Sequence, residues 1–143
     1  MRISEVLQNK PTTEVVTISP DATVRELVAL LAEHNVGALI VSTDGTTVDG
    51  IVSERDVVRR LNEQESVLDG SVSGIMTSVV ETAEPDSLLE DLMKTMTDRR
   101  IRHVPVLSQG KLTGIISIGD VVKHRIGQLE FERDQLDNYL HKT

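Results

Sequence analysis

Ser53 and Asp56 stand three residues apart, and so do Ser117 and Asp120. The surrounding stretches, GIVSERD at 50–56 and GIISIGD at 114–120, share a glycine and two β-branched residues, and both continue with two valines and a basic residue. Serine followed by an acid three residues on, at the start of a helix, is a capping box. The hydroxyl accepts a first-turn amide, and the carboxylate accepts the serine's own amide and complements the helix dipole. The same geometry can also bind a ligand. A strand that turns straight into a helix at the serine presents amides and a hydroxyl to an anion. The aspartate can accept two hydrogen bonds from the cis-diol of a ribose. Phosphate at the serine and ribose at the aspartate would together describe a nucleotide, and a cap can be shared with or displaced by a ligand.

These motifs sit inside a longer repeat. Thr17, Pro20, Asp21 and Val24 align with Thr82, Pro85, Asp86 and Leu89 at an offset of 65, which also lays GALIV (37–41) on RHVPV (102–106). In each unit a β-branched stretch (EVVTIS, VVETA) leads through a turn into an amphipathic run. In the first, Asp21 is the expected N-cap, and Val24, Leu27, Val28 and Leu31 share a face. A short buried strand, a turn, a second strand and a second helix follow. The expected fold is mixed α/β (α+β), two β-α-β-β-α repeats over 3–62 and 68–125 with a helical tail over 126–143. Units of about 60 residues are too small for comfortable separate cores, so the two should pack as one body.

Composition narrows the function. The chain carries one Phe and one Tyr (Phe131 and Tyr139), no Trp and no Cys. The core must be aliphatic, a flat ligand would lie between aliphatic side chains, and disulfides and thiolate metal sites are excluded. A net charge of −8 argues against nonspecific nucleic-acid binding. No apolar run approaches the ~20 residues of a membrane span, and no signal-peptide core is present, so a cytoplasmic protein is expected. The four histidines are scattered, with no paired metal-ligand spacing, nucleophile elbow or phosphate-binding loop. A non-catalytic binding module is the expectation, without catalytic residues, metal or catalytic cofactor.

The chain resembles a tandem pair of cystathionine-β-synthase (CBS) domains, a Bateman module, and within that family the small stand-alone bacterial pairs. The resemblance rests on the two G-I-[VI]-S-x-x-D stretches, the two T-x-x-P-D openings, HNVGALIV and RIRHVPV. It implies a pseudo-twofold body with two clefts between the repeats, each able to take an adenosine nucleotide: AMP, ADP, ATP, NAD or S-adenosylmethionine, with AMP favoured. Asp56 and Asp120 would hold the riboses, and Ser53 and Ser117 the phosphates. Thr17–Ile18 and Thr82–Ala83 would line the bases, each facing the aspartate of the other repeat. The implied lining also takes in Ala22, Gly37, Ala38, Val104, Pro105 and Ile118. A ligand-free scaffold with vestigial clefts is the alternative.

The clefts are not equivalent in sequence. Arg102 and His103 stand where the first repeat has Gly37 and Ala38, and Arg55 stands where the second has Gly119. The Asp120 cleft is therefore expected to draw its cations from its middle strand and to bind a monophosphate better, with Gly119 admitting the phosphate closely. Arg102 grips phosphate or pairs with a neighbouring acid such as Asp98. His103 contacts phosphate or is half-buried and satisfied, and Pro105 ends or edges a strand. LQNKPTTEVV is four residues longer than its counterpart MTSVVE, so Lys10 and Pro11 could form a flap at one cleft. In the tail, Val122, Ile126, Leu129, Arg133, Leu136 and Leu140 form a heptad seam. It favours a homodimer contact involving Phe131 and Tyr139 over a helix folded back on its own domain. Any regulated target would be a separate protein.

Overall fold

The computed structural model describes residues 1–11 and 15–141. A short helix α1 (Ile3–Gln8) precedes the first repeat, which runs β1 (Thr17–Ile18), α2 (Val24–His34), β2 (Ala38–Val41), β3 (Gly50–Ser53) and α3 (Glu54–Glu63). The second runs α4 (Leu89–Arg99), β4 (His103–Ser108), β5 (Lys111–Ser117) and α5 (Ile118–Leu140). β1 pairs parallel with β2 and β2 antiparallel with β3, while β4 and β5 form an antiparallel pair. The mixed α/β architecture, with one small sheet per repeat and a C-terminal helix, is the one expected.

The second repeat lacks a counterpart of β1. VVETA contributes only a parallel bridge, Ala83 to Val106, in which Ala83 N donates to Pro105 O and Leu107 N to Ala83 O. The position that Ile40 fills in β2, opposite Thr17, is Pro105 in β4, and proline supplies no N–H to a neighbouring strand. Pro105 thus sits inside β4, opposite Ile115, and edges the two-stranded sheet rather than ending a strand. Two other expectations are corrected. Asp21 belongs to the preceding turn, and Thr23 caps α2 by accepting from Glu26 N. Val28 is exposed, while Val24, Leu27 and Leu31 are buried.

The repeats are joined by exchanging their lead-in segments. Ile3 and Val6 are fully buried in the second repeat's core, beside Leu89, Met96, Val104 and Ile116. Val72 and Ile75, reached between the repeats, fill the matching places in the first core. The backbone bonds correspond one to one. Ile3 N donates to Ser87 O as Val72 N does to Ala22 O, and Ser4 N donates to Pro85 O as Ser73 N does to Pro20 O. Each repeat is completed by chain from outside it, which welds the two into one body.

This exchange explains the glycine that opens each motif. A Cβ on Gly50 would lie 2.8 Å from Met76 Sδ, and one on Gly114 would lie 2.7 Å from Leu7 Cδ2. Leu7 and Met76 close the two lead-ins over the strands, and only glycine leaves them room.

α5 continues unbroken through Gly127. From Leu129 to His141 every residue is exposed, and Leu129, Phe131, Leu136 and Tyr139 are 48%, 62%, 60% and 75% exposed. The helix does not fold back on its own domain.

Candidate functional site: an arginine-lined cleft between the repeats

Both Ser-x-x-Asp motifs form complete capping boxes at strand-to-helix turns. Ser53 N and Oγ lie 2.8 and 3.1 Å from Asp56 Oδ2, and Asp56 N donates back to Ser53 Oγ at 3.3 Å. Ser117 and Asp120 repeat this at 2.9, 3.0 and 3.2 Å. Each serine proton is directed at the aspartate and each serine oxygen accepts an amide, so neither hydroxyl is spare for a phosphate. The first amide of each helix is occupied too, Glu54 N on Gly37 O and Ile118 N on Arg102 O. A phosphate at these helix starts must therefore rely on cationic side chains more than on the helix amides.

Those side chains gather at one motif. Asp56 and Ser53 lie in the wall of a cleft of about 710 Å³ that both repeats line. The first supplies Gly37, Ala38, Ile51, Glu54, Arg55 and Arg59, and the second Thr77, Val79, Val80, Glu81, Arg99, Arg100, Ile101, Arg102 and His103. Five arginines thus face three carboxylates in a chain of net charge −8. Arg99 is paired with Glu81. Arg100 caps α4 in the left-handed region, φ 55°, a conformation that a residue with a Cβ adopts at a cost.

Arg102 and His103 are placed differently from expectation, since they line the Asp56 cleft. β4 begins against the start of α3, where a Cβ on Gly37 would lie 3.7 Å from His103 Cε1 and 3.5 Å from Glu54 Oε1. His103 is half-buried. Burial pushes its pKa below the ordinary imidazole value and Glu54 opposes this, while Arg102 and Lys10 add to the depression against Asp120. It is held neutral, a hydrogen-bonding group rather than a cation at pH 7.

Asp120 lies beside a different cavity, of about 460 Å³, lined among others by Lys10, Pro11, Lys123, His124 and Phe131. The expected flap is present. Lys10 Nζ donates to Asp120 Oδ2 at 3.0 Å and to Ile115 O at 2.8 Å. Burial would raise the Asp120 pKa, but bonds from Ser117 and Lys10 and the Lys10 charge outweigh it and leave the carboxyl below its ordinary value. Among the described residues Asp56 has no ion-pair partner.

The other expected lining residues fall elsewhere. Ile18 and Val104 are in the two hydrophobic cores, and Ala22 packs against the first. Thr82 is exposed, because the chain reaches the Asp56 cleft at Thr77–Glu81 and has turned into the core by Ala83. Thr17 lies in β1 and Pro105 in β4, while Ser117, Ile118 and Gly119, at the start of α5, do not line the Asp56 cleft. Thr12, Thr13 and Glu14 of the long lead-in lie outside the described residues. Sequence reasoning missed Arg59, Arg99 and Arg100; the signal was the clustering in SERDVVRR and DRRIRH.

Among the described residues no group of three His, Asp or Glu could hold a metal ion. No helix among them is long and apolar enough to cross a membrane.

The two-repeat fold, the paired capping boxes and the cleft between them define a class. A family model for the CBS domain matches residues 3–63 and 72–127. The chain belongs to the CBS domain family, as a tandem pair. It is 32% identical over 132 residues to the CBS domain-containing protein YhcV of Bacillus subtilis, spanning 92% of this chain and 93% of that one. A CBS-domain containing protein of Agrobacterium tumefaciens superposes with a TM-score of 0.83 at 41% identity, over 87% of this chain and 99% of that one. A CBS domain protein of Pyrobaculum aerophilum complexed with AMP gives 0.75 at 31% identity, over 84% and 89%.

Proposed function

We propose that the chain is a non-catalytic regulatory module that binds an adenosine nucleotide in the Asp56 cleft and signals through dimer shape or a separate target protein. The observation that carries this is the cleft itself. A first-turn carboxylate free of any ion pair among the described residues faces five arginines contributed by both repeats. The carboxylate suits a ribose diol. Guanidinium groups suit phosphate, which they grip bidentately. Gly37, Ala38, Ile51, Val79 and Val80 offer aliphatic surface to adenine. AMP in the Pyrobaculum relative supports the ligand class, and AMP remains the favoured ligand over ADP, ATP or NAD.

Because the wall is built from both repeats, a ligand there bridges them and favours one relative placement over others, as signalling requires. The exposed apolar face of α5 supports the second half of the reading, pairing of two copies. The test is a thermal-shift series with AMP, ADP, ATP, NAD and S-adenosylmethionine on wild type and Asp56→Ala. Stabilisation of wild type by an adenosine nucleotide, absent in Asp56→Ala, is expected. No shift with any ligand at millimolar concentration would leave a ligand-free scaffold in its place.

A further inference from the structure

The two aspartates are equivalent in sequence but not in surroundings, and the difference traces to the longer lead-in. In the first repeat Thr77 N donates to Ile51 O at 2.9 Å, closing the lead-in against β3. The corresponding carbonyl in the second repeat, Ile115 O, accepts from the Lys10 ammonium at 2.8 Å. The extra residues replace a backbone amide with a cation on a long stem. That cation reaches further than an amide could, onto Asp120 Oδ2 at 3.0 Å, with both side chains only 21% exposed. Oδ2 there carries three bonds, from Ser117 N, Ser117 Oγ and Lys10 Nζ, where Asp56 Oδ2 carries two. A ribose hydroxyl arriving at Oδ2 would have to displace the Lys10 ammonium, whose bond to the carboxylate is charged on both sides, whereas a hydroxyl–carboxylate bond is charged on the acceptor side only. The backbone that carries Lys10 is fixed, since Lys10 N donates to Leu7 O just past α1, whose Ile3 and Val6 are buried.

We propose that Lys10 closes the Asp120 cleft to nucleotide, so that one chain takes up one ligand, in the Asp56 cleft. This rests on the reading above, in which a first-turn aspartate holds the ribose. Losing one charge-assisted bond corresponds to affinity at Asp120 weakened on the order of ten- to a hundred-fold.

The experiment titrates AMP calorimetrically into wild type and Lys10→Met. In parallel, limiting acetic anhydride labels the ligand-free protein and mass spectrometry follows each lysine. Wild type should bind one AMP per chain, lost in Asp56→Ala and kept in Asp120→Ala, and Lys10→Met should gain a second equivalent. Lys10 should acetylate several-fold more slowly than Lys123 and lose that protection in Asp120→Asn. Two equivalents of similar affinity in wild type, or no gain in Lys10→Met, would overturn the proposal. If neither protein binds any AMP, the nucleotide reading fails, and the labelling decides the latch alone: Lys10 as reactive as Lys123 overturns it.

Discussion

Alanine at Gly50 and at Gly114 should have unequal costs, although the two glycines open the same motif. At Gly114 the atoms nearest the new Cβ all belong to Leu7, whose two methyls would lie at 2.7 and 3.0 Å. Leu7 is partly buried and can change rotamer, so overpacking of about 1 kcal/mol is expected there. At Gly50 the Cβ would meet Met76 Sδ at 2.8 Å, which can yield, and Thr77 O at 2.8 Å, which cannot rotate away. Thr77 is held by reciprocal 2.9 Å bonds with Ile51, and relieving the clash breaks at least one of them. Overpacking of roughly 1–3 kcal/mol plus about 1 kcal/mol for the bond gives a cost of about 2–4 kcal/mol. Urea unfolding of both variants, extrapolated linearly, resolves the difference. Thr77 also lines the Asp56 cleft, so Gly50→Ala should weaken AMP binding while Gly114→Ala leaves it unchanged. Equal costs, or a larger cost at Gly114, would refute the assignment of Thr77 O as the rigid partner.

Arg100→Asn should stabilise the fold by about 0.5–1 kcal/mol in urea unfolding, since asparagine tolerates the left-handed cap, and should weaken nucleotide binding several-fold; a destabilised variant would contradict the strain. Asp120 has a folded pKa below its ordinary 3.8, so it contributes stability above that pH that is lost as pH falls through the folded value. Asp120→Asn should therefore flatten the fall in stability below about pH 4, and an unchanged acid limb would count against the Lys10 and Ser117 bonds. Replacing Leu129 and Leu136 with lysine should give monomers by light scattering with little change in urea midpoint, because both side chains are exposed within one chain; a persisting dimer would move the interface to the repeats.

Much of this was legible in the sequence because repeats report the same physics twice. The two helix starts followed from Ser-x-x-Asp, and the extra lead-in length marked Lys10 and Pro11. The cap of α2 was legible but misassigned, since Thr23 and Glu26 themselves form the capping-box signature. The loss of a strand at VVETA was not, because it depends on which edge of β4 presents Pro105. The exchanged lead-ins pair Ile3 and Val6 with Val72 and Ile75, a faint likeness whose meaning is tertiary. That Arg102 and His103 line the Asp56 cleft was hidden for the same reason: alignment says which repeat holds a residue, and only the packing says which cleft it faces.

A crystal structure grown with saturating AMP would show which aspartate holds the nucleotide. One AMP per chain is expected, its ribose hydroxyls on Asp56 and its phosphate among Arg55, Arg100 and Arg102, with Lys10 still on Asp120. An empty Asp56 cleft, or AMP bound at Asp120 alone, would contradict it.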